Sequence, residues 1–229
     1  MEIPSVKALI FMKAHSERVP GKNVRVLCGR PLFHWIMDSL KRSEYIDEVI
    51  INTDSPEIAE DAKRTFGATI HIRPESLCGD MVGASPLIEY DIENTTGDYF
   101  LQTHSTNPMV TAETIDNAVR HFFSQSVHDS LFSVTPVKTR MYWSDGRGIN
   151  HDPNRLTRTQ DLEPIYEENS CLYIFSRRSF AGSGNRLGAN PMMFEMNRYE
   201  AVDIDYEYDF TFAEALMSRS SGRRSRRSG

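Results

Sequence analysis

The sequence predicts an α/β fold with a mainly parallel sheet, and three observations support this prediction. Short apolar runs alternate along the chain with segments whose apolar residues recur at helical spacing. Connections of helical length between successive strands are typical of βαβ units, in which the strands run parallel. A loop rich in positive charge follows the first apolar run, and this end of the first strand is where open α/β sheets bind anionic ligands.

The strands are predicted from apolar runs of strand length. They lie at residues 8–12, 48–53, 69–72, 98–103, 131–135 and 171–175. The helix between the second and third runs is the best delimited, because Asp54 or Ser55 can cap its start. Pro56 fits its first turn and Gly67 is placed to end it. Other helices are predicted after Pro31, over residues 84–95, after Thr111 and over residues 206–216.

Residues 136–164 interrupt this alternation. The segment is polar, rich in turn residues and aromatic at Tyr142 and Trp143. We interpret it as an insertion from the sheet that covers a site or makes a dimer contact.

Length and composition indicate one globular domain, which we place at residues 1–217. The chain has 229 residues, 39% of them hydrophobic and 25% charged, and this is enough apolar material for a buried core. The sequence has no apolar run long enough to span a bilayer and no signal-peptide pattern at its start. We therefore predict no membrane partner. Three scattered cysteines without a CxxC pair favour reduced thiols in a cytoplasmic protein.

Charge is unevenly distributed along the chain. The net charge is −6, yet residues 218–229 contain five arginines and no acid. We interpret this segment as a disordered, solvated tail. A nucleic-acid contact is the alternative, but the tail lacks interleaved aromatic residues and the rest of the chain is acidic. We therefore predict no nucleic-acid partner.

The loop after the first strand is the strongest candidate for a polyphosphate site. It carries Lys13, Arg18 and Lys22 within ten residues. Fixed positive charge beside a triphosphate stabilises the charge that develops on the departing pyrophosphate. A solvated basic turn is the alternative, but Pro20 and Gly21 shape the turn immediately before Lys22. This favours Lys22 as the main phosphate ligand.

Two acids near the end of the chain are candidate metal ligands. Asp203 and Asp205 are separated by one residue, and residues two apart in an extended segment point to the same face. Two converging carboxylates can hold Mg²⁺, which prefers oxygen ligands and bridges to phosphate. The alternative is that they cap the helix predicted over residues 206–216.

Two further segments carry weaker signals. Arg73 and Asp80 flank a tight loop after a strand, which suits contact with a base or ribose. A second segment, just before the strand at 171–175, suits contact with an oxygen-rich acceptor. The alternative interpretation, that its side chains only hydrogen-bond to one another within the loop, is equally supported. Its polar side chains are Arg158, Gln160, Tyr166 and Asn169.

In this order the segments resemble the cytidylyltransferase family typified by CMP-sialic acid synthetases. Five stretches match its motifs, and the similarity covers nearly all of residues 7–216. The matching stretches are residues 13–32, 49–59, 73–80, 158–173 and 203–210. The resemblance implies a three-layer, Rossmann-like nucleotidyltransferase fold with an inserted dimerisation or lid segment. It also implies a homodimer that uses CTP and Mg²⁺ and releases pyrophosphate.

The resemblance also assigns roles to residues of the nucleotide site. Lys22, Lys13 and Asp205 are the implied catalytic residues, and Asp203 with Asp205 is the implied metal pair. The implied CTP contacts are Lys13, Ala14, Arg18, Lys22, Asn23, Arg73 and Asp80.

The chain departs from the family pattern on the acceptor side. The family's glycine pair is Ala14-His15 here, and its Q-P-T-S-P-L-R motif has His104 and Val110 in place of the glutamine and arginine. The acceptor is therefore predicted to be a small acid, either a keto-acid sugar related to sialic acid or a phosphonate or phosphorylated acid. The candidate acceptor contacts are His15, His104, Thr106, Arg158, Gln160, Tyr166 and Asn169.

Two other functions fit parts of the sequence. A nucleotide-sugar glycosyltransferase would use Asp203 and Asp205 as its metal motif, but such motifs usually follow a strand in the middle of the chain. A non-catalytic nucleotide-binding relative is the second alternative, and the retained Lys22 weighs against it.

Overall fold

The structure, a computed structural model, describes residues 3–79, 81–155 and 157–225, with side chains described up to Ser218. The strands are β1 Val6–Met12, β2 Val26–Leu27, β3 Arg30–Pro31, β4 Ile46–Thr53, β5 Thr69–Ile72, β6 Tyr99–Thr103, β7 Ser130–Val137, β8 Ile165–Ser176 and β9 Pro191–Glu195. The helices are α1 Leu32–Arg42, α2 Pro56–Phe66, α3 Ala84–Glu93, α4 Ala112–Phe123, α5 Arg177–Ser183 and α6 Glu207–Ser225.

Seven strands form one sheet in the order β5-β4-β1-β6-β8-β7-β9. β1 pairs in parallel with β4 and β6, β4 with β5, and β7 with β9. β8 alone among these strands runs antiparallel to both of its neighbours. The predicted α/β fold with a mainly parallel sheet is therefore confirmed.

Helices cover both faces of the sheet and make three layers. Ala8 and Ile10 of β1 point into a core that includes apolar residues of α1, α2 and α4. Leu9, between them, points to the opposite face and packs in a second core with Ile88 of α3 and Phe180 of α5. Because successive strand residues alternate between faces, an apolar run without polar alternation fits a strand buried on both sides.

Several elements differ from the sequence prediction. β8 begins at Ile165, six residues before the predicted strand. Its first half is polar and exposed, so it lacks an apolar pattern, and it pairs with β7. The short edge strand β9 and helix α5 were not predicted. β9 alternates exposed and half-buried residues and starts with Pro191, which suits a strand at a sheet edge.

The insertion and the tail have different boundaries in the structure. Pro136 and Val137 belong to β7, so the connection between β7 and β8 spans residues 138–164. The backbone of α6 is helical to Ser225, beyond residue 217, where the domain was predicted to end. Residues 226–229 of the predicted tail lie outside the described residues. The described residues include no helix that is long and apolar enough to cross a membrane.

The fold places one site at the carboxyl ends of β1 and β6, which are neighbours in the sheet. The basic loop leaves β1 after Met12, and residues 104–107 leave β6 after Thr103. The segment before α6 crosses this edge, where the Ile204 N–H donates to the Thr106 carbonyl over 3.0 Å. Ligands of open α/β sheets bind at this edge.

Candidate active site

A cleft of about 470 Å³ opens at the carboxyl ends of β1 and β6. It brings together side chains from five separate parts of the chain, at residues 11–23, 104–106, 170, 186 and 203–205. The predicted site residues that line it are Lys13, His15, Arg18, Lys22, Asn23, His104, Thr106, Asp203 and Asp205.

The basic loop is held in shape by buried groups beneath its charged side chains. Val19 is fully buried. The Asn23 side chain donates to the Lys13 carbonyl over 3.0 Å and accepts from the Ser105 hydroxyl over 2.7 Å. Gly21 has φ +63°, a left-handed conformation that glycine adopts without strain. Asn23 thereby ties the two ends of the loop together and joins it to the loop after β6.

Two cations of the loop converge on one acid of the predicted metal pair. Lys22 Nζ donates to the Ile204 carbonyl over 2.8 Å and to Asp205 Oδ1 over 3.2 Å. Arg18 Nη1 donates to Asp205 Oδ2 over 2.9 Å. The Lys22 side chain is 11% exposed and that of Arg18 is 51% exposed. Lys22 is therefore the better ordered and less screened charge of the two.

Asp203 and Asp205 both face the cleft, as their spacing predicted. Ile204 between them is fully buried, and Asp209 Oδ2 accepts from the N–H groups of Asp205 and Tyr206. Burial raises the pKa of Asp203, and its buried Oδ1 has no hydrogen-bond partner. An unpaired, desolvated carboxylate oxygen is costly in a folded protein, and a cation in the cleft would satisfy it.

The acid pair fits Mg²⁺ that arrives with a phosphate ligand. In the part of the chain that the structure describes, no group of three or more His, Cys, Asp and Glu side chains is placed to hold a metal. Mg²⁺ is commonly held by one or two carboxylates together with substrate phosphates and water. Asp203 and Asp205 provide such a set, and Mg²⁺ binding stays a prediction.

Asp54 contacts the loop and does not cap α2. Its Oδ1 accepts from the Ala14 N–H over 2.6 Å, while the Ser55 hydroxyl accepts from Ile58 N–H at the start of the helix. Ser55 is therefore the cap, and Asp54 fixes the backbone between Lys13 and His15. This contact could not be read from the sequence, because both residues are good helix caps.

Arg73 is buried at the ends of β1 and β4 and does not line the cleft. It is 4% exposed. Its Nε donates to Asn52 Oδ1 over 2.8 Å, and Nη2 reaches the Met12 and Asn52 carbonyls. It thus joins the ends of β1 and β4, while its buried Nη1 has no partner. A cytidine contact by Arg73 stays a prediction, and Asp80 lies outside the described residues.

The other side of the cleft is built from β6 and β8. The Gln102 side chain donates from Nε2 toward His104 Nε2 over 3.1 Å and accepts from Arg186. Arg186 also stacks on the Tyr173 ring, with Cζ 3.4 Å from the ring centre. Burial, with the nearby Arg186 charge, lowers the pKa of His104 to about 4. His104 is therefore neutral at pH 7.

Four predicted acceptor contacts lie away from this cleft within the chain. Arg158 pairs with Asp161 over 2.6 Å, and the Gln160 carbonyl accepts from Lys138. Tyr166 donates to Glu195 over 3.0 Å. Asn169 lines a neighbouring cavity of about 570 Å³ that shares Ser170 and Asp203 with the cleft. Local contacts occupy the side chains of Arg158, Tyr166 and Asn169, and the role of all four residues toward an acceptor stays a prediction.

Sequence reasoning assigned no role to six residues that line the cleft. They are Arg186 and Ser170, together with Phe11, Ser16, Glu17 and Ser105. Arg186 lies in the connection between α5 and β9, where the sequence shows neither a motif nor a periodic pattern. Ser170 has φ +58°, and its hydroxyl accepts from Tyr173 over 3.1 Å. The family motif has Asn-Gly where this chain has Asn169-Ser170, a departure on the acceptor side that the sequence shows although it assigns Ser170 no role.

Comparison with known proteins agrees with this geometry. A family model described as Cytidylyltransferase matches residues 7–218. CMP-N,N'-diacetyllegionaminic acid synthase of Legionella pneumophila subsp. pneumophila is 29% identical, over 93% of this chain and 96% of that protein. Pseudaminic acid cytidylyltransferase of Campylobacter jejuni subsp. jejuni is 23% identical, over 91% and 94%. N-acylneuraminate cytidylyltransferase A of Danio rerio is 27% identical, over 93% of this chain and 51% of that protein.

Solved structures share the fold at lower identity. CMP:2-keto-3-deoxy-manno-octonic acid synthetase complexed with CTP has a TM-score of 0.69 at 15% identity, covering 95% of this chain and 99% of that chain. A 4-diphosphocytidyl-2C-methyl-D-erythritol synthase from Anaerococcus prevotii has a TM-score of 0.66 at 13% identity, covering 95% and 100%. These likenesses confirm the three-layer, Rossmann-like nucleotidyltransferase fold.

Proposed function

The chain belongs to the cytidylyltransferase family, and we propose that it transfers CMP from CTP to a sugar acid, with Mg²⁺ bound by Asp203 and Asp205. The observation that carries this proposal is the convergence of Lys22 and Arg18 on Asp205 in one cleft at the carboxyl edge of the sheet. A triphosphate with its metal needs both signs of charge at one place. As a CTP-dependent nucleotidyltransferase, the protein is not a nucleotide-sugar glycosyltransferase.

The residues of the basic loop bind and orient the triphosphate. Lys13, Lys22 and Arg18 all line the cleft, and the Arg18 side chain is more exposed than that of Lys22. Their charges stabilise the negative charge that develops as pyrophosphate leaves. Asp54 and Asn23 hold the loop backbone in position, so the cations are oriented before CTP arrives.

In the transfer, an oxygen of the acceptor bonds to the α-phosphorus of CTP. The bond from that phosphorus to the bridging oxygen of pyrophosphate breaks, and the proton of the acceptor hydroxyl passes to solvent water. Asp203 and Asp205 would hold Mg²⁺, which would supply positive charge to offset the negative charge that develops on the phosphates. His104 is unsuited as the general base, because its pKa is about 4 and its Nε2 faces the Gln102 amide.

The names of the relatives support a sugar acid as the acceptor. They act on legionaminic, pseudaminic and N-acylneuraminic acids, all of which combine a carboxylate with hydroxyl groups. The cleft provides matching partners in Arg186, His104 and Thr106 on its β6 side. A phosphonate acceptor is the second candidate, since Arg186 also suits that anion.

We further propose that the protein acts as a homodimer through residues 138–164. This connection carries large apolar side chains that are exposed in the single chain, including Tyr142 at 52% and Trp143 at 57%. Exposed aromatic residues in a long connection are typical of a protein interface.

One assay tests the reaction and its acceptor. The protein is incubated with each of the four nucleoside triphosphates, Mg²⁺ and either a panel of sugar acids or a panel of phosphonates, and pyrophosphate release is followed. The sugar-acid panel includes N-acetylneuraminate, N,N'-diacetyllegionaminate and pseudaminate. Release that requires CTP and a sugar acid is expected. If pyrophosphate is released only with phosphonates, the acceptor is a phosphonate and not a sugar acid. If CTP binds but no mixture releases pyrophosphate, the proposed reaction is wrong.

A further inference from the structure

Arg186 is a half-buried cation in the cleft without an acidic partner at contact distance. It makes no ion pair with any acid in the described part of the chain. Its Nη1 donates to the neutral Gln102 amide, and its plane lies on the Tyr173 ring. Glu168 attracts it from beyond ion-pair distance and is itself bonded to the Tyr173 hydroxyl. Burying a guanidinium without an acidic partner costs free energy in the folded protein, unless a bound anion pairs with it.

The position of Arg186 separates it from the nucleotide cations. Lys13, Arg18 and Lys22 all come from the loop after β1, whereas Arg186 contacts Gln102 on β6 and Tyr173 on β8. Along the sheet, β6 and β8 are the next two strands after β1. Arg186 therefore faces the cleft from the side opposite the basic loop.

Arg186 also fixes the hydrogen-bonding state of His104. A guanidinium can only donate, so the Gln102 atom that it contacts must be the carbonyl oxygen. The Gln102 amide nitrogen then faces His104 Nε2, which must accept. A neutral imidazole that accepts at Nε2 carries its proton on Nδ1. His104 thus carries its proton on Nδ1, and both His104 and Arg186 line the cleft.

We propose that Arg186 binds the carboxylate of the acceptor. The hydrogen bonds from Arg186 to Gln102 and from Gln102 to His104 keep the His104 proton on Nδ1, and this N–H donates to a neighbouring oxygen of the same molecule. This assignment rests on the proposed transfer of CMP to a sugar acid. The planar guanidinium fork matches a carboxylate with two parallel hydrogen bonds. In the ring form of a keto sugar acid, the carboxylate and the anomeric hydroxyl are on the same carbon. Holding the carboxylate at Arg186 therefore positions the hydroxyl that attacks CTP.

The test compares each sugar acid of the panel with its own carboxamide, in which the negative charge is removed. We expect the wild-type protein to prefer the acid by about 100-fold in kcat/KM, as a bidentate charged pair implies. In Arg186→Leu this preference should fall below about threefold, with the KM for CTP nearly unchanged. Arg186→Lys keeps the charge without the fork and should retain an intermediate preference of about tenfold. The matched control is Arg178→Leu, since Arg178 is exposed on α5.

The outcomes separate this assignment from the proposed reaction. If Arg186→Leu and Arg186→Lys both keep the full preference for the acid, Arg186 does not bind the carboxylate. If calorimetry without acceptor shows that Arg186→Leu weakens CTP binding, Arg186 belongs to the triphosphate site and the assignment is wrong. If the wild-type protein uses no sugar acid at all, the proposed function fails and the carboxylate assignment fails with it.

Discussion

Lys22 Nζ lies 3.2 Å from Asp205 Oδ1, although the two residues are 183 positions apart in the chain. The pair joins the loop that follows the first strand to the segment that precedes the last helix. A phosphate oxygen bound here would lie beside both the Lys22 ammonium and the Asp205 carboxylate, and the carboxylate suits a metal ion. The predictions below follow from this arrangement and from the contacts around it.

Lys22→Met should lower kcat/KM for CTP by about 10²- to 10³-fold, the usual cost of removing one preorganised charge from a transition state. The Lys22 side chain is largely buried and its ammonium bonds Asp205 and a backbone carbonyl, so its charge is held in position before CTP binds. Steady-state kinetics of pyrophosphate release measure the loss. Lys41→Met is the control, because Lys41 is exposed at the end of α1. Equal rates for the two variants would contradict the assignment of Lys22.

Asp203→Asn and Asp205→Asn should each abolish turnover and also remove the rise in melting temperature that Mg²⁺ and CTP together produce. For Asp203→Asn the unliganded protein should melt no earlier than the wild type, because the substitution removes a buried charge whose Oδ1 has no partner. Thermal denaturation with and without Mg²⁺ and CTP measures both effects. Asp47→Asn, at an exposed acid of β4, is the control. A normal Mg²⁺-dependent shift in either site variant would disprove the metal assignment.

His104 should make the folded protein less stable in acid. Its pKa is about 4 in the folded protein against an ordinary value of 6.5, so between these values only the unfolded chain binds the proton. The contribution of this group to stability is therefore complete above pH 6.5 and is lost as the pH falls from 6.5 to 4, by about 3 kcal/mol at pH 4. Urea unfolding at pH 7 and pH 4 should show this loss in the wild type and in His121→Gln, an exposed control. It should be absent from His104→Gln; an equal loss there would refute the prediction.

Asp54→Ala and Ser55→Ala should separate loop geometry from helix stability. Asp54→Ala removes the acceptor of the Ala14 N–H, and a charge-assisted hydrogen bond of this kind implies an increase of about tenfold in the KM for CTP. Ser55→Ala removes the cap of α2 and should cost about 1 kcal/mol of stability without changing that KM. Kinetics and urea unfolding of both variants provide the comparison. The reverse pattern would show that Asp54 is the cap in solution.

Trp143→Ser should shift the protein from dimer to monomer. Trp143 is exposed in the single chain and lies in the connection between β7 and β8, where a second copy would bury it. Light scattering after size exclusion measures the mass. Val127→Ser, at an exposed apolar residue outside this connection, should leave the mass unchanged. A monomeric wild-type protein would rule out the proposed assembly.

Much of the fold was predictable because its strongest signals are local. α2 and α4 have side-chain caps at Ser55 and Thr111, where the sequence placed their starts. The β1 strand is an apolar run because helices cover both of its faces. The spacing of Asp203 and Asp205 predicted a shared face, and both line one cleft.

The parts that escaped prediction depend on contacts between distant residues. The first half of β8 is polar and forms a strand only because β7 pairs with it. Arg186 reaches the cleft from an irregular connection, held there by Gln102 and Tyr173. Asp54 could be a cap as readily as a loop ligand, and only the position of Ala14 decides between them. In each case the deciding interaction is absent from the local sequence.

The separation of Lys22 from Asp205 also has a consequence during synthesis. A ribosome adds roughly 5 to 20 residues per second, so about 10 to 40 seconds pass between the two residues. The first strand and its basic loop are made early, while the acid that Lys22 contacts is made 183 residues later. A nascent chain therefore carries an exposed group of positive charges long before its counter-charge exists. It cannot hold CTP in the finished geometry until the segment before α6 has left the ribosome.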